Sequence, residues 1–243
     1  VITRRNLLVT SGAVLLAGCD RWSDHPALLS AEDAHRFLQR SVTGRAALAR
    51  EYRIDQMSPV FRTNGTRSPG TPEYNALAAN RFADWRLPVT GMVRRPLNLS
   101  LAQLQSLPQR AQITRHDCVE GWSAIGKWQG PRLETVLQVA GIRDDARYVV
   151  FHCADRFGGD AFYESIDLID AFHPQTLLAW AMNDRYLDVG HGAPVRLRVE
   201  RQLGYKQAKY IMGVEVVASL AGIGGGKGGC WEDSNGYEWY AGI

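Results

Sequence analysis

The apolar positions divide the chain into a short apolar run near its start, a polar stretch, and a long remainder of alternating strand and helix signals. Leu7–Gly18 is apolar for 12 residues, interrupted by Thr10, Ser11 and Gly12. A membrane-spanning helix needs about 20. Residues 20 to about 60 are polar and helix-prone, with Ala31 to Tyr52 rich in Ala, Arg and Leu. That predicts a tether with one or two helices. Residues 61–75 are dense in Gly, Pro, Asn, Ser and Thr, which predicts loop. Beyond Trp85, strands are predicted at Leu87–Val93, Gln112–Arg115, Arg147–Cys153, Val195–Val199 and Tyr210–Val217. Ser100 predicts a cap for a helix over Leu101–Leu107. Pro131 opens a second helix, which Gly141 ends. Ser165 to Met182 predicts short helices around His173-Pro174, and Gly224–Gly229 predicts a flexible tail loop. The class is α+β, with a mixed β-sheet and surrounding helices.

Composition narrows the function. With 45% hydrophobic and 22% charged residues over 243 positions, the chain is neither an integral membrane protein nor disordered. A formal charge of +3 gives no case for a nucleic-acid partner. Four cysteines, at positions 19, 118, 153 and 230, are too few for a disulfide scaffold.

The front end reads as an export signal. Arg4-Arg5 directly before the apolar run is the twin-arginine arrangement. Leu16-Ala17-Gly18-Cys19 has the form of a lipobox, in which Cys19 is acylated. Residues 1–18 are therefore expected to be a signal segment, 19–60 a tether with N-terminal helices, and 61–243 the functional domain. The expected location is periplasmic, with the chain exported folded and lipid-anchored to the cytoplasmic membrane. Asp20, next to Cys19, matches a retention signal for that membrane.

Three features carry candidate chemistry. Cys118 stands where a strand gives way to a glycine-containing turn, and strand alternation places His116 on the same face. A thiolate there is a nucleophile, with His116 or Glu120 nearby, or a soft-metal ligand; the bland alternative is a buried structural cysteine. Zinc is disfavoured, because no C-x-x-C or H-x-x-x-H spacing occurs. Residues 191–209 hold Arg196, Arg198, Arg201, Lys206 and Lys209 against one acid, Glu200. Such a run is either a solvated face or a pocket for a phosphorylated ligand. No Walker A motif or G-x-G-x-x-G accompanies it.

Together these segments resemble the sulfite-oxidase family of molybdenum-molybdopterin enzymes, from about Pro59 onward. Arg115-His116-Asp117-Cys118-Val119-Glu120-Gly121-Trp122-Ser123, followed by Trp128-Gln129-Gly130, is similar to the family's molybdenum-cysteine segment. It is most like that of the bacterial periplasmic methionine-sulfoxide reductases. His191-Gly192-Ala193-Pro194-Val195-Arg196 with Lys209 downstream resembles the pterin-binding segment, Asn64 an early cofactor contact, and His173-Pro174-Gln175-Thr176 a recurring family segment. Position 191 is His, as in sulfite oxidases, where the reductases carry Asn. Cys153 stands where they carry Thr.

The resemblance implies a sulfite-oxidase-type fold and a molybdenum-molybdopterin (Mo-MPT) cofactor. Cys118 would be the metal ligand and catalytic centre, and Asn64, Cys153, His191, Arg196, Gln207 and Lys209 would bind the cofactor. Arg62, Arg115 and His116 are candidates for contact with a small-molecule oxide or oxyanion. The implied reaction is two-electron oxygen-atom transfer, as S-oxide or N-oxide reduction, with sulfite dehydrogenation as the alternative. The chain contains no C-x-x-C-H haem attachment, so a separate haem or cytochrome partner at the membrane is expected to exchange the electrons. Two readings from other classes are an envelope cysteine hydrolase using Cys118 and His116, and a tethered binding lipoprotein.

Overall fold

In the computed structural model, which describes Gly44 and residues 47–243, the largest sheet has five strands. They are β1 (Arg86–Gly91), β2 (Leu97–Ser100), β5 (Tyr148–Phe157), β6 (Asp160–Asp167) and β11 (Ile211–Val217), in the order β2-β1-β11-β5-β6. Only β1 and β11 run parallel, so the sheet is mixed. A second sheet joins β3 (Gln109–Cys118), β4 (Trp122–Pro131), β8 (Ala181–Met182) and β9 (Arg185–Tyr186). A short pair joins β7 (Leu177–Ala179) to β10 (Arg196–Arg198). Among the described residues the α-helices are α1 (Pro72–Ala79), α2 (Leu101–Ser106), α3 (Leu133–Ala140), α4 (Leu168–Ala171) and α5 (Cys230–Asn235). Leu48–Ile243 is one compact unit. Among the described residues no helix is long and apolar enough to cross a membrane.

Local chemistry accounts for most boundaries. Ser100 accepts the Gln103 N–H while Gln103 reaches back to the Ser100 N–H, a capping box that starts α2. Thr71 caps α1 with Pro72 at its first turn. The α3 spacing buries Leu133, Val136, Leu137 and Ala140 in one core with Leu87, Val89, Val149, Phe151, Val214 and Val216 of the five-stranded sheet. Side chains of this size contribute about 1.5–3 kcal/mol each when fully buried.

Several expectations need correction. Residues 48–60 contain a 3-10 turn at Ile54–Gln56 and no α-helix, and Glu51 bridges to Thr114. The expectations for residues 1–18, for Cys19 and for most of 19–60 fall outside the described residues. The 61–75 loop gives way to α1 at Pro72. The strand predicted at Gln112–Arg115 runs from Gln109 to Cys118 and pairs along its whole length with β4, which the pattern did not suggest. Gly126 and Gly130 hid β4, since glycine weakens a strand signal. A Cβ at Gly130 would lie 2.1 Å from the Leu178 carbonyl oxygen, so only glycine lets β4 and β7 approach. Ser165 to Met182 contains β-strands besides the short α4.

The glycine-rich tail is anchored. Asp233 accepts the backbone N–H groups of Gly225 and Lys227 as well as the Tyr163 hydroxyl. Behind it Lys206, wholly buried, donates to Glu164 of β6 and to Glu232 of α5. This cluster ties the 3-10 turn Gly204–Lys206 to the five-stranded sheet and the tail.

Candidate active site

The β3–β4 hairpin presents Cys118 at its end. Cys118 pairs with Trp122 across a turn in which Gly121 has φ +83° and donates its N–H to the Cys118 carbonyl at 3.0 Å. Alternation along β3 buries Gln112, Thr114, His116 and Cys118 and exposes Arg115. Burial raises the Cys118 thiol above its ordinary value, and the Glu120 carboxylate raises it further against the opposing Glu120 N–H and Arg196. Glu120 is held ionised by the Trp122 indole N–H at 2.9 Å and the Gly65 N–H at 3.1 Å. That pair of bonds joins the hairpin turn to the 61–67 loop.

The basic segment folds inward. Arg196 is fully buried, donates one N–H to the His191 carbonyl at 3.0 Å and lies 5.0 Å from the Trp128 ring centroid. Burial and Arg198 lower its pKa to about 9. Lys209 donates to the carbonyls of Asn64 at 2.7 Å, Gly190 at 2.9 Å and Thr66. Burial and Arg196 lower it to about 7, against Asp155, Asp188 and Glu120. Both ring nitrogens of His191 are engaged, Nδ1 with Asp188 at 2.8 Å and Nε2 with the Phe61 carbonyl at 3.1 Å.

Buried polar atoms without a partner gather here. Arg196 Nε and Nη2 and His116 Nε2 are unsatisfied on the donor side, and Asn64 Oδ1, Gln207 Oε1 and Asp155 Oδ1 on the acceptor side. Asn64, Asp155, Gln207 and Lys209 line one small cavity of about 60 Å³. A folded interior pairs nearly all such groups, and an uncompensated buried guanidinium is costly. The arrangement therefore calls for a ligand carrying both anionic groups and N–H donors. Molybdopterin has both, in its phosphate and dithiolene and in its pterin ring, so the residues present fit it.

Sequence reasoning missed several members of this wall. Asp155, raised to about 6 chiefly by burial, takes a hydrogen bond from the Thr66 side chain and keeps its other oxygen free. Phe61 is an aromatic hub, with ring centroids 5.6 Å from His116, 5.9 Å from Trp122, 5.3 Å from Trp128 and 5.9 Å from His191. Arg198 is fully buried between Trp128, Glu200 and His116. Only the excess of arginine in residues 191–209 hinted at it.

Some expected residues are not brought together. Arg115 pairs with Asp117 on the outward face of β3 and lines a groove with Arg50 and Arg201. Arg62 lines a different cleft of about 600 Å³ with Thr63, Arg67, Glu120, Trp122 and Gly190, so Arg67 replaces Arg115 as its companion. His116 is buried beneath the site and does not line that cleft. Cys153 sits in the apolar core, its thiol facing the Phe151 carbonyl at 3.8 Å and held protonated by burial.

Comparison with known proteins identifies the family. Residues 74–221 match the family described as "Oxidoreductase molybdopterin binding domain". A protein of Azospira oryzae named "Putative protein-methionine-sulfoxide reductase subunit YedZ1" is 38% identical over 238 residues, 97% of this chain and 84% of that one. The protein-methionine-sulfoxide reductase catalytic subunit MsrP of Campylobacter jejuni is 32% identical over 144 residues, 54% of this chain and 48% of that one. Among solved structures, the sulfane dehydrogenase SoxCD from Paracoccus pantotrophus shares the fold, with a TM-score of 0.51 at 20% identity. That match covers 56% of this chain and 39% of the other.

Proposed function

This chain belongs to the oxidoreductase molybdopterin binding domain family, and from that premise we propose that it reduces an S-oxide by two electrons. It is a molybdopterin-dependent oxidoreductase. The bound cofactor supplies two-electron oxygen-atom transfer at its metal. Cys118 would hold the metal through its thiolate, a soft donor suited to a molybdenum–sulfur centre. Arg196, Lys209, Asn64, Gln207 and Asp155 would hold the organic part. The observation that carries the reading is Cys118 at the hairpin end, set beside the buried Arg196, whose guanidinium has no carboxylate partner.

The chain's own residues define the approach to that site. The cleft beside the hairpin turn is open and offers the Trp122 ring, the ionised Glu120 and two arginines. A sulfoxide is a neutral dipole: its oxygen accepts from Arg62 or Arg67, and the substituents on sulfur lie against the indole. Reduction consumes two electrons and two protons and releases the sulfide and water. The relatives named as methionine-sulfoxide reductases support this substrate class.

The second reading is sulfite oxidation, which the juxtaposition of Arg62 and Arg67 favours. Glu120 in the same cleft opposes a dianion, whose burial requires converging cations without a carboxylate between them. Cysteine hydrolysis is disfavoured on geometry. Arg198 donates to Nδ1 of His116, the only lone pair of a neutral imidazole protonated on Nε2, so His116 offers no base to the raised Cys118 thiol.

The cellular setting follows the N-terminal motifs. Export in the folded state through Arg4-Arg5, acylation at Cys19 and a place on the periplasmic face of the cytoplasmic membrane form one consistent route. Electrons would then come from a separate haem protein of that membrane. Purified protein is expected to contain one molybdenum and one pterin per chain. It should reduce a sulfoxide with a viologen donor at higher kcat/KM than it oxidises sulfite with a cytochrome acceptor. Dominant sulfite turnover would replace the first reading with the second, and an active protein free of pterin would overturn both.

A further inference from the structure

We propose that His116 is a fixed hydrogen-bond donor to the bound molybdopterin through Nε2–H, and that Arg198 and Glu200 are positioning residues that hold it in that state. The proposal rests on the cofactor reading above and gives to the cofactor a residue that the resemblance offered only as a substrate contact.

The tautomer follows from donor chemistry. Arg198 Nη1 lies 3.0 Å from His116 Nδ1. A guanidinium only donates, so Nδ1 accepts and the ring's single proton sits on Nε2. Arg198 cannot turn away. Its Nε and Nη2 form a fork on Glu200, at 3.0 and 2.5 Å, and its guanidinium lies 4.2 Å from the Trp128 centroid. Gln112 fixes Glu200 in turn by donating to Oε1 at 2.8 Å. All of these side chains are buried. The chain Gln112, Glu200, Arg198, His116 is therefore a rigid relay from the second sheet to the cofactor wall.

At its end, Nε2–H makes no hydrogen bond of normal length although the ring is fully buried; the Gln207 side chain approaches it without closing one. An unmade hydrogen bond at such a position is costly, which implies a ligand acceptor. The space beside Nε2 exists because residue 204 is glycine: a Cβ there would lie 2.5 Å from both Nε2 and Cε1. Gln207 and Lys209, on the same turn and strand entry, belong to the cavity wall.

The test has two readouts that do not depend on turnover. In purified full-length protein with ¹⁵N-labelled histidine, the His116 proton is expected on Nε2, by one-bond coupling, with the resonance assigned by its loss in His116→Phe. A proton on Nδ1 would overturn the proposal. Pterin content after denaturation is expected to fall about tenfold in His116→Phe. His116→Gln, whose amide both accepts from Arg198 and donates toward the pocket, is expected to retain at least about half. Wild-type pterin content in His116→Phe, or equal loss in both variants, would overturn the donor role and leave the cofactor reading intact. A wild-type chain without pterin would overturn the cofactor reading itself, while the tautomer result would still stand.

Discussion

Lys209 Nζ donates to the main-chain carbonyl of Asn64 at 2.7 Å, joining two segments 145 residues apart in the sequence. The bond closes the 61–67 loop over the entry to β11 and holds the ammonium at the cofactor wall. Burying it lowers its pKa from 10.5 to about 7.

That shift has a definite sign. An unfolded lysine titrates near 10.4. Between about pH 7 and 10 the unfolded chain therefore binds a proton that the folded chain does not, and folding stability rises with pH. Cofactor-free protein is expected to gain up to about 2 kcal/mol between pH 7 and 9 by urea unfolding, and Lys209→Met to lose that gain. A variant with the same pH slope as wild type would show that Lys209 is not the titrating group.

Arg196 is held at a cost that only a ligand offsets. In cofactor-free protein, Arg196→Met is expected to unfold at higher urea, by about 1 kcal/mol, because it removes a buried unpaired charge. The same variant should retain at least about tenfold less pterin, from the loss of charge-assisted hydrogen bonds. Lower stability together with normal pterin content would make Arg196 a structural residue.

Lys206 is the cation between two buried carboxylates. Lys206→Met leaves Glu164 and Glu232 unpaired and is expected to cost about 3–5 kcal/mol in equilibrium unfolding. The double variant in which both glutamates become glutamine should recover part of that loss. A cost below about 1 kcal/mol for the single change would mean that the tail is not tied down through this cluster.

Gly204→Ala drives a methyl group into the His116 ring, which Arg198 blocks from the other side. Overpacking of this kind costs about 1–3 kcal/mol. A shift in the thermal midpoint together with lower pterin content is expected, and an unchanged midpoint would show that the ring can move.

Much of the site was legible before any fold was known. Residues two apart in a strand share a face, so Cys118 and His116 had to lie together once their segment was a strand. The cap at Ser100 and the stop at Gly141 are equally local. The segments around Cys118, Asn64 and Arg196 indicated the family, because the chemistry of holding a metal thiolate and an anionic pterin constrains short runs of residues.

Long-range contacts decided the rest. Arg62 and Arg115 were equal candidates for substrate contact, but the pleat of β3 turns Arg115 outward, and Arg67 joins Arg62 in the cleft instead. β4 was hidden by glycines, and the purpose of one of them, the contact of Gly130 with the β7 backbone, appears only when residues about 50 apart meet. The proton on His116 depends on Arg198, 82 residues away, which in turn is oriented by Glu200 and Trp128. A hydrogen-bond donor selects its acceptor by position in space. The sequence by itself therefore determined which chemistry the chain carries, and tertiary structure decided which of several similar side chains serves it.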